Sequence, residues 1–124
     1  MTKKDSKINW LNEPEEHDYP AAQSYLSLIY NESTANAHVE KLRSAPISKF
    51  KAKDIFRASS LSLLGISNTH VEKDRRKIES GKELSPVLLV RDTPNSKVVI
   101  ADGYHRLCAI YSNDEDAIIL CKIV

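Results

Sequence analysis

Val98-Val99-Ile100-Ala101-Asp102-Gly103-Tyr104-His105-Arg106-Leu107-Cys108-Ala109 is the stretch whose reading decides the fold. Val98 to Ala101 is β-branched and apolar, as a buried strand requires. Asp102-Gly103 breaks the run, and Gly103 can adopt a positive φ. Beyond it Leu107, Ile110 and Tyr111 recur at the spacing of one helix face. The stretch therefore predicts strand, sharp turn, helix. The first N–H groups of a helix have no partner inside it, and they point at whatever sits in front. The helix dipole favours an anion there. His105 and Arg106 fall in that first turn, and a guanidinium fork suits phosphate oxygens. The residues thus predict a phosphate cradle with the acid Asp102 at its lip.

Working outward, two more strands flank this unit. Val87–Val90 precedes it, separated by the turn Thr93-Pro94-Asn95-Ser96, so an antiparallel pair is expected. Ala117–Val124 follows it, beyond a polar loop at Ser112–Asp116. Upstream, Thr69-His70-Val71-Glu72 reads as a capping box opening a helix that runs to Ser80 and stops at Gly81. Its Val71 and Ile78 are expected to face inward, and Lys73, Asp74, Arg76 and Lys77 to face water. Ser59–Ser67 is loop-like, yet Leu61, Leu63, Leu64 and Ile66 predict partial packing. Ile47–Lys51 reads as a short strand, and Lys53–Ala58 as a helical turn carrying Ile55 and Phe56 inward.

Nearer the N-terminus two helices are expected. The first covers Tyr19 to Tyr30, with Pro20 in its first turn and an apolar face of Ala22, Tyr25, Leu26 and Ile29. Asn31 is expected to end it. The second covers Thr34 to Arg43 with Ser33 as N-cap and a stripe of Ala35, Val39 and Leu42; Ala45-Pro46 stops it. The chain has 124 residues and reads as one domain: an N-terminal helical extension at 1–46 and a core at 47–124. The expected class is α+β, with a small mixed, partly open and curled sheet, packed helices and the N-terminal helical pair.

Composition narrows the function classes. Eighteen basic and 17 acidic side chains leave a formal charge of +1, which exerts no general pull on nucleic acid or anionic membrane. The longest apolar runs, Pro86–Val90 and Ala117–Cys121, are far too short to span a bilayer. Lys3, Lys4 and Lys7 are followed by no apolar run, so no signal peptide is expected, and Met1–Lys7 reads as a frayed end. Cys108 and Cys121 lie in apolar segments without metal-like spacing and read as buried, reduced thiols. A cytoplasmic protein is the expectation.

Gly103-Tyr104-His105-Arg106 followed by Ala109 resembles the G-x-x-R-x-x-A signature of the ParB/sulfiredoxin-like superfamily. Asp102-Gly103-Tyr104-His105-Arg106 is similar to the D-G-H-H-R form of its free-serine kinase branch, departing at Tyr104. The resemblance covers Phe50 to the end. It implies a nucleoside phosphate held by Gly103, Tyr104, His105 and Arg106. It further implies a basic contact from the Lys51, Lys53 and Arg57 patch, chiefly Lys53 and Arg57. Asp102 and His105 would be the catalytic pair, with Mg2+ on Asp102 and ATP, ADP or CTP as the nucleotide. The branch's reaction is phosphoryl transfer to a small hydroxyl compound. Sulfiredoxins use a Cys directly after the Gly; Tyr104 stands there, so sulfinic-acid repair is not expected. Phosphoryl transfer also needs a further carboxylate, for which Glu15, Glu16, Asp18 and Glu72 are the candidates, with His17 beside the first three.

Three functions stay open at this point. The first is a nucleotide-phosphate-binding protein acting as a small-molecule kinase or nucleotide hydrolase. The second is a non-catalytic binding or structural module. The third is a DNA-binding regulator, because Leu63–Asp74 imitates the turn and recognition helix of a helix-turn-helix. From Lys51 to Glu79 seven basic and four acidic residues leave only +3, and Glu72, Asp74 and Glu79 would repel phosphates.

Overall fold

The computed structural model describes residues 7–63, 65 and 68–124. The motif forms as the sequence requires. Strand β5 (Lys97–Asp102) ends at Gly103, whose φ of 105° starts helix α5 (Tyr104–Asn113). Strand β4 (Val87–Asp92) pairs antiparallel with β5 through a 3-10 turn at Thr93–Asn95, with a register shift at Leu88/Leu89. Strand β6 (Ile118–Ile123) lies parallel to β4, and β2 (Ser48–Lys51) lies antiparallel to β6. The result is an open mixed sheet ordered β2-β6-β4-β5.

Side chains alternate across this sheet, as the two-residue period demands. Val87, Leu89, Ile100, Ile119 and Cys121 face one core, which α3 (Ala52–Ser59), α4 (Thr69–Glu79) and α5 cover. Leu88, Val90, Val99 and Ala101 face the other, which α1 (Asp18–Ile29) and α2 (Glu32–Ser44) cover. The central strand β4 is therefore buried on both faces from Val87 to Val90, which explains why that run is apolar without alternation. The chain is α+β, and its N-terminal helical pair covers one face of the central strands. A second, two-stranded parallel sheet joins β1 (Asn9–Trp10) to β3 (Glu83–Leu84). Among the described residues no helix is long and apolar enough to cross a membrane. Cys108 and Cys121 are both buried.

Several boundaries differ from the sequence expectation. Asn31 does not end α1. It caps α2, its side-chain oxygen accepting from the Thr34 N–H at 2.8 Å, so Ser33 is not the cap. On α1, Tyr19, Ala22 and Leu26 are buried, while Tyr25 and Ile29 are exposed, because the helix docks on a narrower stripe. Asn68, not Thr69, caps α4: it accepts from the N–H groups of His70 and Val71 at 3.0 and 3.2 Å. Glu72 is thereby released from the expected capping box and instead accepts from Arg75 and Arg76 at 2.9 Å each. Asp74 is buried instead of facing water. Ser112 and Asn113 belong to α5, not to the loop after it. Leu61 and Leu63 are exposed, because the chain leaves the core at Ser60, which has a positive φ. The expected packing of Leu64 and Ile66 lies outside the described residues, as do Met1–Ser6 of the expected frayed end.

Candidate functional site at the start of helix α5

Asp102 is the last residue of β5, and Gly103 turns the chain so abruptly that α5 starts one residue later. A Cβ at Gly103 would stand 2.9 Å from Nη2 of Arg106 and 3.0 Å from Cγ2 of the buried Val87. Both the backbone angle and the space call for glycine. Among the described residues no side chain caps the start of α5. The Leu107 N–H already bonds to the Gly103 carbonyl at 2.9 Å, so the N–H groups left for a ligand are those of Tyr104, His105 and Arg106.

These groups open into a cleft of about 170 Å³ between α4 and α5. Its α5 side carries Gly103, Tyr104, His105 and Arg106, with Asp102 below them. Its α4 side carries His70, Lys73, Asp74 and Lys77. These four recur at i, i+3, i+4 and i+7, one polar stripe of a helix. A groove of about 650 Å³ lies against the other side of the same two lysines, with Arg76 and Lys82 on its walls. No carboxylate partner engages Lys73 among the described residues, and Lys77 reaches Asp74 only at 3.8 Å. The ammonium groups that line the cleft are thus supplied by α4.

Arg106, which also lines the cleft, is paired within the chain. Its Nη2 lies 3.2 Å from Oδ2 of Asp102 and 3.6 Å from Oδ2 of Asp18, at the start of α1. Asp18 also accepts a short hydrogen bond from the Ser85 hydroxyl. The guanidinium is held between two carboxylates, and among the described residues its buried Nε has no hydrogen-bond partner. Burial pushes the Asp102 carboxyl up to about 6; Arg106 opposes that rise and Asp18 adds to it. His105 stacks near His70, ring centroids 4.9 Å apart. Desolvation and then His70 hold its pKa below the ordinary imidazole value, against Asp74. Tyr104 donates its hydroxyl to the Ser62 carbonyl, which ties α5 to the chain beyond α3.

The remaining expectations separate from this site. Lys53 pairs with Asp116 at 2.7 Å and Arg57 with Asp54 at 3.5 Å, both on the α3 side, and neither lines the cleft. Of the four candidate carboxylates only Asp18 reaches the motif. Glu16 pairs with Arg43 at 2.6 Å, Glu72 with its own helix, and Glu15 lies 3.6 Å from the exposed His17. No group of three His, Cys, Asp or Glu side chains gathers as a metal site among the described residues. Asp102, the residue expected to carry Mg2+, pairs with Arg106 at 3.2 Å. Part of the helix-turn-helix imitation lies outside the described residues, at 64, 66 and 67. Sequence reasoning missed Lys73 and Lys77 as cleft groups. The α4 stripe from His70 to Lys77 was the signal that could have found them. Comparison with family models, with curated proteins and with solved structures finds no match for this chain.

Proposed function

We propose that this protein binds the phosphate of a nucleotide in the cleft between α4 and α5, in the manner of the ParB/sulfiredoxin group that its Gly103–Ala109 segment resembles. One observation carries the reading. An uncapped helix start, made possible by Gly103 at φ 105°, faces Lys73 and Lys77 across a cleft of about 170 Å³. Backbone N–H groups, the helix dipole and two ammonium groups then converge on one volume, as a phosphate requires. That volume holds a phosphate but not a nucleoside, so the rest of the ligand extends past the lysines into the larger groove. A cytoplasmic location goes with this reading.

The enzymatic version is transfer of a phosphoryl group from ATP or ADP to a small hydroxyl compound, or to water. Asp102, with its carboxyl near 6, is ionised enough at pH 7 to take the hydroxyl proton as the new P–O bond forms and the terminal phosphoanhydride bond breaks, releasing ADP from ATP or AMP from ADP. Any Mg2+ would arrive on the nucleotide's own phosphates. A second reading, a binding module without chemistry, is favoured by the engagement of Asp102 with Arg106, which holds that acid in a structural pair. DNA binding is the third reading.

Thermal-shift measurements with ATP, ADP, CTP, GTP and inorganic phosphate, each with and without Mg2+, test the proposal. A nucleotide present at 100 times its Kd stabilises the fold by about 2.7 kcal/mol, a rise of several degrees in Tm. At least one nucleotide is expected to do this. No rise with any of them overturns the reading. Phosphate release or transfer by the responding nucleotide then separates the enzyme from the binding module, and a salt-dependent DNA shift would favour the regulator.

A further inference from the structure

A second cavity lies on the α3 side of the sheet, away from the phosphate cleft. It measures about 240 Å³. All four strands of the main sheet contribute to it: Phe50 from β2, Ile123 from β6, Leu89 from β4 and Val98 from β5. Ile55 and Ala58 of α3 form the opposite wall. It exists because α3, only eight residues long, covers part of this face and leaves the outer row of side chains open.

Two charged residues, Arg91 and Asp54, break the apolar pattern at the rim. On this face β4 presents Val87, Leu89 and then Arg91, the single exposed residue of that strand. Arg91 stands opposite Val98 at the mouth of the slot. No carboxylate pairs with it among the described residues. The acid at the same rim, Asp54, is engaged by Arg57 at 3.5 Å. The slot therefore has an apolar body and an uncommitted guanidinium at its entrance. A site of this composition selects a flat hydrocarbon body carrying one anionic group, since a carboxylate meets a guanidinium in two parallel hydrogen bonds. The size suits two fused rings, given that a cavity of about 150 Å³ holds one benzene. We infer that the slot between α3 and the sheet binds a small aromatic carboxylate, with its ring system against Phe50, Ala58, Val98 and Ile123 and its carboxylate on Arg91.

The inference is independent of the phosphate site, and its test reports on this slot alone. Naphthalene-2-carboxylate and its neutral carboxamide are titrated into the full chain, followed by amide and methyl NMR. The wild type is expected to show saturable shifts at Ala58, Val98 and Ile123 with the carboxylate, leaving Tyr104 to Arg106 unmoved. Arg91→Gln, at an exposed position, is expected to keep the wild-type spectrum elsewhere and to bind the carboxylate at least tenfold more weakly. The carboxamide is expected to bind both proteins alike. Three results would each overturn the inference: no saturable shifts at these residues up to millimolar probe, equal binding of carboxylate and carboxamide by the wild type, or undiminished binding by Arg91→Gln.

Discussion

Gly103 is the residue on which the site's geometry depends most. Any side chain there meets a positive φ, and its Cβ would press on Val87 and Arg106. Gly103→Ala is expected to cost about 2–4 kcal/mol, combining the backbone penalty with overpacking. Urea denaturation measures it. Arg106 is the counterpart in electrostatics. Its removal leaves Asp18 and Asp102 without their shared cation, and breaking a buried pair of this kind costs roughly 3–5 kcal/mol. Arg106→Ala is thus expected to lower stability even before any ligand is added, and Lys73→Gln with Lys77→Gln is the cleaner probe of affinity.

The pH dependence follows from Asp102. Its carboxyl titrates higher in the folded chain than in the unfolded one, near 6 instead of the ordinary value. Between about pH 4 and that value the folded state keeps the proton and the unfolded state releases it. This contribution to stability is complete below about pH 4 and is lost as the pH rises through 6. Asp102→Asn carries no such proton. Relative to that variant, the wild type is expected to lose up to about 3 kcal/mol between pH 4 and 7. Chemical denaturation of both at several pH values checks it; parallel curves would place the Asp102 titration elsewhere.

At the scale of elements, the caps make the sharpest prediction. Asn68→Ala removes the acceptor for two orphan N–H groups of α4 and is expected to cost about 1 kcal/mol. Thr69→Ala is expected to leave stability within about 0.5 kcal/mol, the usual range for an exposed position. The elements themselves were largely legible. The unit β5–Gly103–α5 was readable because every signal in it is local: a β-branched run, a breaking Asp-Gly, then a 3.6-residue period. The same holds for the β4–β5 hairpin. The caps were misread because two capping residues stand side by side in Asn68-Thr69, and side-chain geometry alone decides between them. The β1–β3 pair was missed because two-residue strands carry no periodicity.

At the scale of the molecule, what the sequence hid is long-range. Nothing local announces that Asp18 meets Arg106 across 88 positions, or that Ser85 joins them. Lys122 is the same case. In a strand it reads as the solvent-facing residue, yet it is buried, with Nζ bonded to Glu13 at 2.8 Å and donating to the Arg43 carbonyl at 2.9 Å. It fastens the chain before α1 and the end of α2 to the sheet. The N-terminal pair thus supplies an acid to the motif and covers Leu88, Val90, Val99 and Ala101. Deleting residues 1–46 is expected to expose that face and abolish the cooperative thermal transition. Leu26→Ala, at a fully buried position of the same interface, is expected to cost about 2–5 kcal/mol.

The central claim is that phosphate sits at the start of α5, and amide NMR of the full chain reads that place directly. The nucleotide giving the largest thermal shift is titrated into the 15N-labelled protein. Saturable shifts are predicted at the N–H groups of Tyr104, His105 and Arg106, with the same midpoint as shifts at Lys73 and Lys77, and a weaker midpoint in the Lys73→Gln, Lys77→Gln double variant. Saturable binding that leaves Tyr104 to Arg106 unmoved would contradict the account.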